Sequence, residues 1–252
     1  MKTARAIAIL LRALAHALRG WLTIRLMFGR LSDAQRGLRV QIWARQMLAI
    51  LGIELQLSGQ PPAHGPVLLV ANHISWLDIL VMHAARHCRF VSKSEVRHWP
   101  LIGTLATGAG TLYIERASRR DAMRVVHHMA ERLAEGDILA AFPEGTTSDG
   151  RDVLKFHASL LEPVVAAGGE VWVVAVRYFR PAPSREVHAE MRTDAAAYIG
   201  DTTMLQSLHA IFAAQPLIAE VRFLEAIDCA GRTRREVAQR AQEAIRAVVR
   251  AP

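Results

Sequence analysis

Residues 66–78 read PVLLVANHISWLD. An unbroken apolar run ends at Asn72 and His73, and an aspartate stands five positions beyond the histidine. Apolar residues without alternation, bounded by proline and polar residues, describe a strand covered on both faces. Ser75 has N-cap chemistry, and Asp78 three residues later gives a capping-box-like spacing ahead of ILVMHAARH. Strand, short loop and helix in that order are the repeating unit of an α/β fold. The same residues also carry a chemical reading. Two side chains five apart within one helix would point about 140° away from each other. A break between them lets Asp78 accept a hydrogen bond from one imidazole nitrogen of His73 and leaves the other basic. That is the arrangement of a general base and its orienting carboxylate.

The pattern extends on both sides of this stretch. Strand-like runs recur as IELQLSG, PVLLVAN, CRFVSK, GTLYIER, DILAAF, VWVVAVRYF, EVHAEMR and IAEVRFLEAI. Helical stretches separate several of them, notably WLDILVMHAARH and SRRDAMRVVHHMAERLAEG. Residues 52–252 are therefore expected to form an α/β domain with a mixed, largely parallel sheet flanked by helices. Ligands of such sheets sit at the carboxyl ends of the strands. ANH, ER and FPEGT all fall at such ends. GGEVWVV has too few glycines for a dinucleotide fingerprint and reads as a turn before a core strand.

Charge is placed unevenly. Residues 1–51 hold nine Lys/Arg against Asp33 alone, while the rest of the chain is neutral. Arg5, Arg12 and Arg19 recur every seven residues of a proline-free, Ala- and Leu-rich stretch, and His16 falls on their stripe. Leucines occupy the other faces. Central arginines cost about 2.5–3.5 kcal/mol each in a spanning helix, whereas lying in the interface sets them against anionic headgroups. A second helix is expected from SDAQ, where Ser32 and Gln35 have capping-box spacing, to about Leu51. Residues 1–51 thus read as a membrane-binding helix pair, with a hairpin packed on its own domain as the alternative. Lys2 and Arg5 before an apolar run, with AHA, also resemble a signal peptide, but Arg12 interrupts the run and cleavage is not expected. A basic nucleic-acid-binding protein is an alternative that a neutral body and basic residues interleaved with leucines disfavour.

Other clusters carry less. Cys88 and Cys229 lie far apart and suit reduced thiols in a cytosol-facing protein. His83 and His87 stand one helical turn apart with no third ligand, so no metal site is expected and they read as surface or helix-face residues. His127 and His128 read as structural. The chain has no G-x-S-x-G elbow and no cysteine in a Gly-rich turn. A His–Asp pair without its own nucleophile implies activation of a hydroxyl on the substrate, hence transfer to an alcohol.

NHISWLD resembles the NHxxxxD motif of the glycerolipid acyltransferases, and further blocks follow in that family's order. KSEVRHWPLIG is similar to the lysine-containing segment before the second block. GTLYIER resembles the block that ends in a phosphate-binding arginine, and FPEGTTS resembles FPEGTRS. The likeness covers roughly residues 50–180 and is nearest to bacterial enzymes that convert lysophosphatidic acid into phosphatidic acid. It implies His73 as the base and Asp78 as its orienter. It implies substrate binding by Arg116, Glu144, Gly145, Thr146 and Lys93, with Glu144 on glycerol hydroxyls or orienting its loop. It also implies an acyl carrier protein or coenzyme A thioester as cosubstrate with no cofactor, and the cytoplasmic face of an inner membrane as location. Three positions depart from the family: Thr147 replaces an arginine, Val173 a proline and Ala158 a glycine. Thr147 removes a cation near the headgroup, and a related branch that acylates lyso-ornithine lipid suits FPEGTTSDG about as well. A membrane protein that binds lipid without catalysis is the remaining alternative.

Overall fold

A computed structural model of the protein describes residues 2–114, 119–181 and 190–251. Two helices lead, α1 (Lys2–Met27) and α2 (Asp33–Leu51), joined through a short turn of 3₁₀ helix, Phe28–Arg30. Then come β1 (Ile53–Ser58), β2 (Val67–Ala71), α3 (Leu77–Ala85), β3 (Arg89–Lys93) and, after the 3₁₀ turn Ser94–His98, α4 (Ile102–Gly108) and β4 (Leu112–Ile114). The remainder is α5 (Arg119–Ala134), β5 (Ile138–Ala141), α6 (Glu162–Ala166), β6 (Glu170–Pro181), β7 (Glu190–Arg192), α7 (Met204–Ala213), β8 (Leu217–Asp228) and α8 (Arg234–Arg250).

All the strands belong to one sheet in the order β1-β8-β6-β2-β5-β3-β4, with β7 paired to the end of β6. β2 runs parallel to both β5 and β6, and β3 runs parallel to β5 and β4. The β6–β8 pair is antiparallel and turns β1 and β8 against the rest. This is the mixed, largely parallel sheet that the alternating pattern implies. The apolar runs divide by parity, because successive side chains point to opposite faces. Val67, Leu69 and Ala71 of β2 join one core with Leu48, Val81 and Ile211, while Leu68 and Val70 join the other with Met129, Val237 and Ile245. Helices therefore cover both faces, which is why β2 shows no polar alternation.

α2 begins at the capping box of Ser32 and Gln35 and ends at Gly52, whose φ of 71° few side chains tolerate. Its Ala44, Met47, Leu48 and Leu51 are buried within the first core. The division between residues 51 and 52 thus follows charge rather than packing. α1 packs on α2 and α4 through small residues. A Cβ on Gly20 would lie 2.6 Å from Trp43 Nε1, and one on Gly108 2.5 Å from Ile24 Cδ1. His16 lies on this packed face rather than with the exposed arginines. It is buried, its Nε2 lies 3.0 Å from the Trp43 carbonyl and its ring stacks on Trp43. The outward face carries Ile7, Leu11, Leu14, Leu18, Leu22 and Leu26, each about half exposed or more. Ala4–Arg30 is long and apolar enough to cross a bilayer by length and composition alone.

His83 and His87 also lie on a packed face. Burial pushes His83 down to about 3, and its ring stacks on His87 and meets Phe90 edge-on. His83 is therefore a core residue, not a surface one.

Because Leu48 is 2% exposed, Leu48→Ala should destabilise the chain by about 2–5 kcal/mol. Urea unfolding checks this, and a loss under about 0.5 kcal/mol would show that α2 is not part of the cooperative core.

Candidate active site

The site is assembled at the carboxyl ends of the parallel strands. Asn72 follows β2 and extends its ladder with a side chain: Oδ1 accepts from the Val176 N–H at 2.8 Å, and Nδ2 donates to the Val176 carbonyl at 2.9 Å. This amide copies the pairing of one more strand residue and fixes the direction in which the chain leaves the sheet.

α3 starts at Leu77, with Trp76 rather than Ser75 at the cap position. Ser75 Oγ has no hydrogen-bond partner, so the expected serine cap is absent. The first-turn carboxylate reaches back instead. Asp78 Oδ2 accepts from the backbone N–H of Ile74 at 2.6 Å and of Ser75 at 2.8 Å. It also lies 2.8 Å from His73 Nδ1, while Oδ1 accepts from the Tyr178 hydroxyl at 2.7 Å. A carboxylate only accepts, so Nδ1 carries the proton and Nε2 is the basic nitrogen. Among the described residues nothing hydrogen-bonds Nε2. Tyr178 stays a donor, because burial first and the Asp78 charge second push its hydroxyl well above the usual range.

The turn after β5 closes over this loop. Phe142 stacks on His73 with centroids 3.9 Å apart and planes 5° apart, and Phe90 stacks behind it. Gly145 N–H donates to the Phe142 carbonyl at 3.1 Å, with Pro143 and Glu144 as the central residues. Gly145 has φ +72°, and a Cβ there would come within 3.3 Å of the His157 ring. Glu144 is 3% exposed and spends both oxygens on backbone: Oε1 accepts from His73 N–H at 2.8 Å and Oε2 from Leu154 N–H at 2.9 Å. Of its two expected roles, the geometry is that of orienting the loop. Ser148 N–H donates to the His73 carbonyl at 2.8 Å, and Tyr198 N–H to the Ile74 carbonyl at 2.9 Å. Thr147 donates its hydroxyl to the Tyr198 carbonyl.

The remaining expected site residues are looser. Thr146 and Lys93 are exposed, and neither side chain bonds a described residue. Lys93 ends β3 opposite Ile114 of β4. Arg116 lies outside the described residues. Sequence reasoning missed Tyr178, Ser148 and Tyr198, and it left Asn72 without a role. Only the polarity of Tyr178 inside an apolar strand could have flagged it.

A base with a fixed tautomer, stacked against an aromatic ring and lacking a nucleophile of its own, can take a proton from an incoming hydroxyl. Residues 53–178 match the family model described as Acyltransferase, and the chain belongs to that family. It is an O-acyltransferase by class. It is similar to the lyso-ornithine lipid O-acyltransferase of Pseudomonas aeruginosa, 36% identical over 98% of this chain and 91% of that one. The 1-acyl-sn-glycerol-3-phosphate acyltransferase of Neisseria meningitidis is 35% identical over 81% of this chain and 78% of its own length. In fold it matches the crystal structure of the 1-acyl-sn-glycerophosphate acyltransferase PlsC of Thermotoga maritima, with a TM-score of 0.64 over 96% of both chains at 18% identity.

Glu144 gives the site a pH signature. Burial is the larger effect and raises its carboxyl from 4.5 to about 7, against the lowering by the Leu154 and His73 N–H groups. Between those values the folded state binds more protons than the unfolded one. The contribution of this group is therefore full below about 4.5 and is lost as pH rises through about 7. Compared with Glu144→Gln in urea unfolding, the wild type should lose relative stability across that window. Parallel pH dependence of the two would mean that Glu144 stays charged on its two N–H donors.

Proposed function

We propose that the protein acylates the free hydroxyl of a lysolipid at a membrane surface, with an acyl carrier protein or coenzyme A thioester as donor. The observation that carries this reading is the His73–Asp78 pair, 2.8 Å apart, with Nε2 bonded to none of the described residues. His73 takes the proton of the acceptor hydroxyl as its oxygen attacks the thioester carbonyl. Asp78 steadies the imidazolium, and the proton leaves with the thiol as the C–S bond breaks. The reaction needs no metal or cofactor. The exposed leucine face of α1 and the basic residues around it support an interfacial location, which we take to be the cytoplasmic face of an inner membrane.

For the acceptor we favour lysophosphatidic acid, giving phosphatidic acid. A cavity of about 270 Å³, lined by Arg97, His98, Tyr113, Arg124 and His128, supports this choice. It adjoins Ser94, the residue after Lys93, and its cationic lining suits a phosphate monoester. Arg116 and Lys93 would join that recognition, and Gly145 and Thr146 the binding of the glycerol. One observation favours lyso-ornithine lipid instead. The Thr147 hydroxyl is committed to the Tyr198 carbonyl, so this position brings no cation to a phosphate.

A panel of the two acceptors against both thioesters, with the purified full chain in detergent, tests the choice. Faster turnover of lyso-ornithine lipid would move the assignment to that acceptor. His73→Ala should lower acyl transfer by at least about 10²-fold with either acceptor, while the chain still unfolds in one cooperative transition at some cost in stability, because Asp78 loses one of its four donors. Retention of more than about a tenth of the activity would remove His73 as the base.

A further inference from the structure

The apolar surface next to α1 extends onto a second element. The Ile102 N–H donates to the Pro100 carbonyl at 2.6 Å across Leu101, whose φ is 62° and ψ −55°. This is a γ-turn, a strained conformation for a residue with a side chain. Among the described residues Leu101 is the one non-glycine residue at positive φ. On either side of it Trp99 and Ile102 stand 50% and 43% exposed. The helix that follows, α4, packs closely on α1 through Gly108 and Leu105.

Between the end of α1, the start of α2 and α4 lies a groove of about 520 Å³. Arg25, Arg36, Arg89 and Arg97 line it, and Asp33 is the lone carboxylate of the lining. Arg36 and Arg89 hold Asp33 at 3.2 and 3.3 Å, and Arg89 also holds Asp137 at 2.8 Å. Arg25 and Arg97 differ. Each lies over an aromatic ring, Trp21 at 5.5 Å and Tyr113 at 5.9 Å, and neither pairs with a carboxylate among the described residues. Burial lowers the His87 imidazole from its ordinary range and so disfavours a charge there.

We propose that this groove binds the phosphate headgroup of an anionic bilayer phospholipid, with Trp99 and Ile102 as apolar anchors beside it. Guanidinium groups present forked donors suited to phosphate oxygens. The excess positive charge of the chain is confined to residues 1–51, which supply two of the four arginines. Exposed apolar residues on α1 and beside α4 flank the groove, which suits a lipid better than a free ion. The inference rests on the reading of α1 as membrane-facing and adds a defined headgroup site to it.

The test is flotation of the full chain with vesicles of equal parts phosphatidylglycerol and phosphatidylcholine. Arg25→Lys with Arg97→Lys keeps the charge but removes both forks. It should weaken vesicle binding about tenfold, whereas a diffuse electrostatic contact would leave binding unchanged and overturn the site. A wild-type chain that fails to float would instead overturn the reading of α1, and this inference with it. Inorganic phosphate should displace the protein only modestly better than chloride at equal ionic strength, because it lacks the apolar anchorage. Complete displacement by phosphate would make the groove a site for the free ion. Quenching of tryptophan fluorescence by brominated lipid should lose a component in Trp99→Phe, and unchanged quenching would remove Trp99 as an anchor.

Discussion

The carboxylate of Asp78 has no exposed surface and four donors around it: two backbone N–H groups, the His73 imidazole and the Tyr178 hydroxyl. A buried carboxylate is tolerable only when it is so enclosed, because an unpaired one would be strongly destabilising. The four donors come from three different constraints. The N–H groups belong to the turn that starts α3, the imidazole to the loop after β2, and the hydroxyl to β6 on the neighbouring strand. Satisfying one charge therefore fixes where the helix begins, how the loop turns and which ring nitrogen is basic.

The same economy appears at Glu144. Its oxygens join the His73 backbone to that of Leu154, so the turn after β5 is tied to the loop after β2. Phe142, two residues earlier, is thereby brought flat against the His73 ring. Backbone bonds from Ser148 and Tyr198 close the remaining sides. Loops normally carry the reactive groups of an α/β domain because strands end there together. Here two buried carboxylates tie those loops to one another and, through Tyr178, to the sheet beneath them.

The N-terminal segment shows charge and packing drawing different boundaries. All the excess positive charge lies before residue 52, yet α2 contributes four buried side chains to the core of the body. α1 turns small residues inward and leucines outward, the reverse of a helix that stabilises its own domain by burial. Its close approach depends on glycines at two crossings, Gly20 against Trp43 and Gly108 against Ile24.

Much of this was legible in the amino-acid order. Apolar runs without alternation announced strands covered on both faces, and each of the eight described strands coincides with a run that the pattern marks, β6 and β8 extending a residue or two past both ends. The spacing of His73 and Asp78 implied a chain break between them, because one continuous helix would have held them apart. α4, α6, α7 and α8 lie outside the helical stretches that the pattern marks. Short helices such as α6 have too few residues to show a period, whereas α8 is long and strongly amphipathic. What only tertiary structure decided were the long-range pairs. Nothing local links Asp78 to Tyr178, Asn72 to Val176 or His73 to Phe142, since these contacts exist only once β2 lies between β5 and β6. The fate of His16 was decided the same way. The helical period set it beside the arginines, but the packing of α1 on Trp43 turned that edge of the stripe inward, where a ring with one bonded nitrogen can be buried and a guanidinium cannot without a partner. Periodicity fixes which residues share a face, and only the packed neighbour fixes what that face meets.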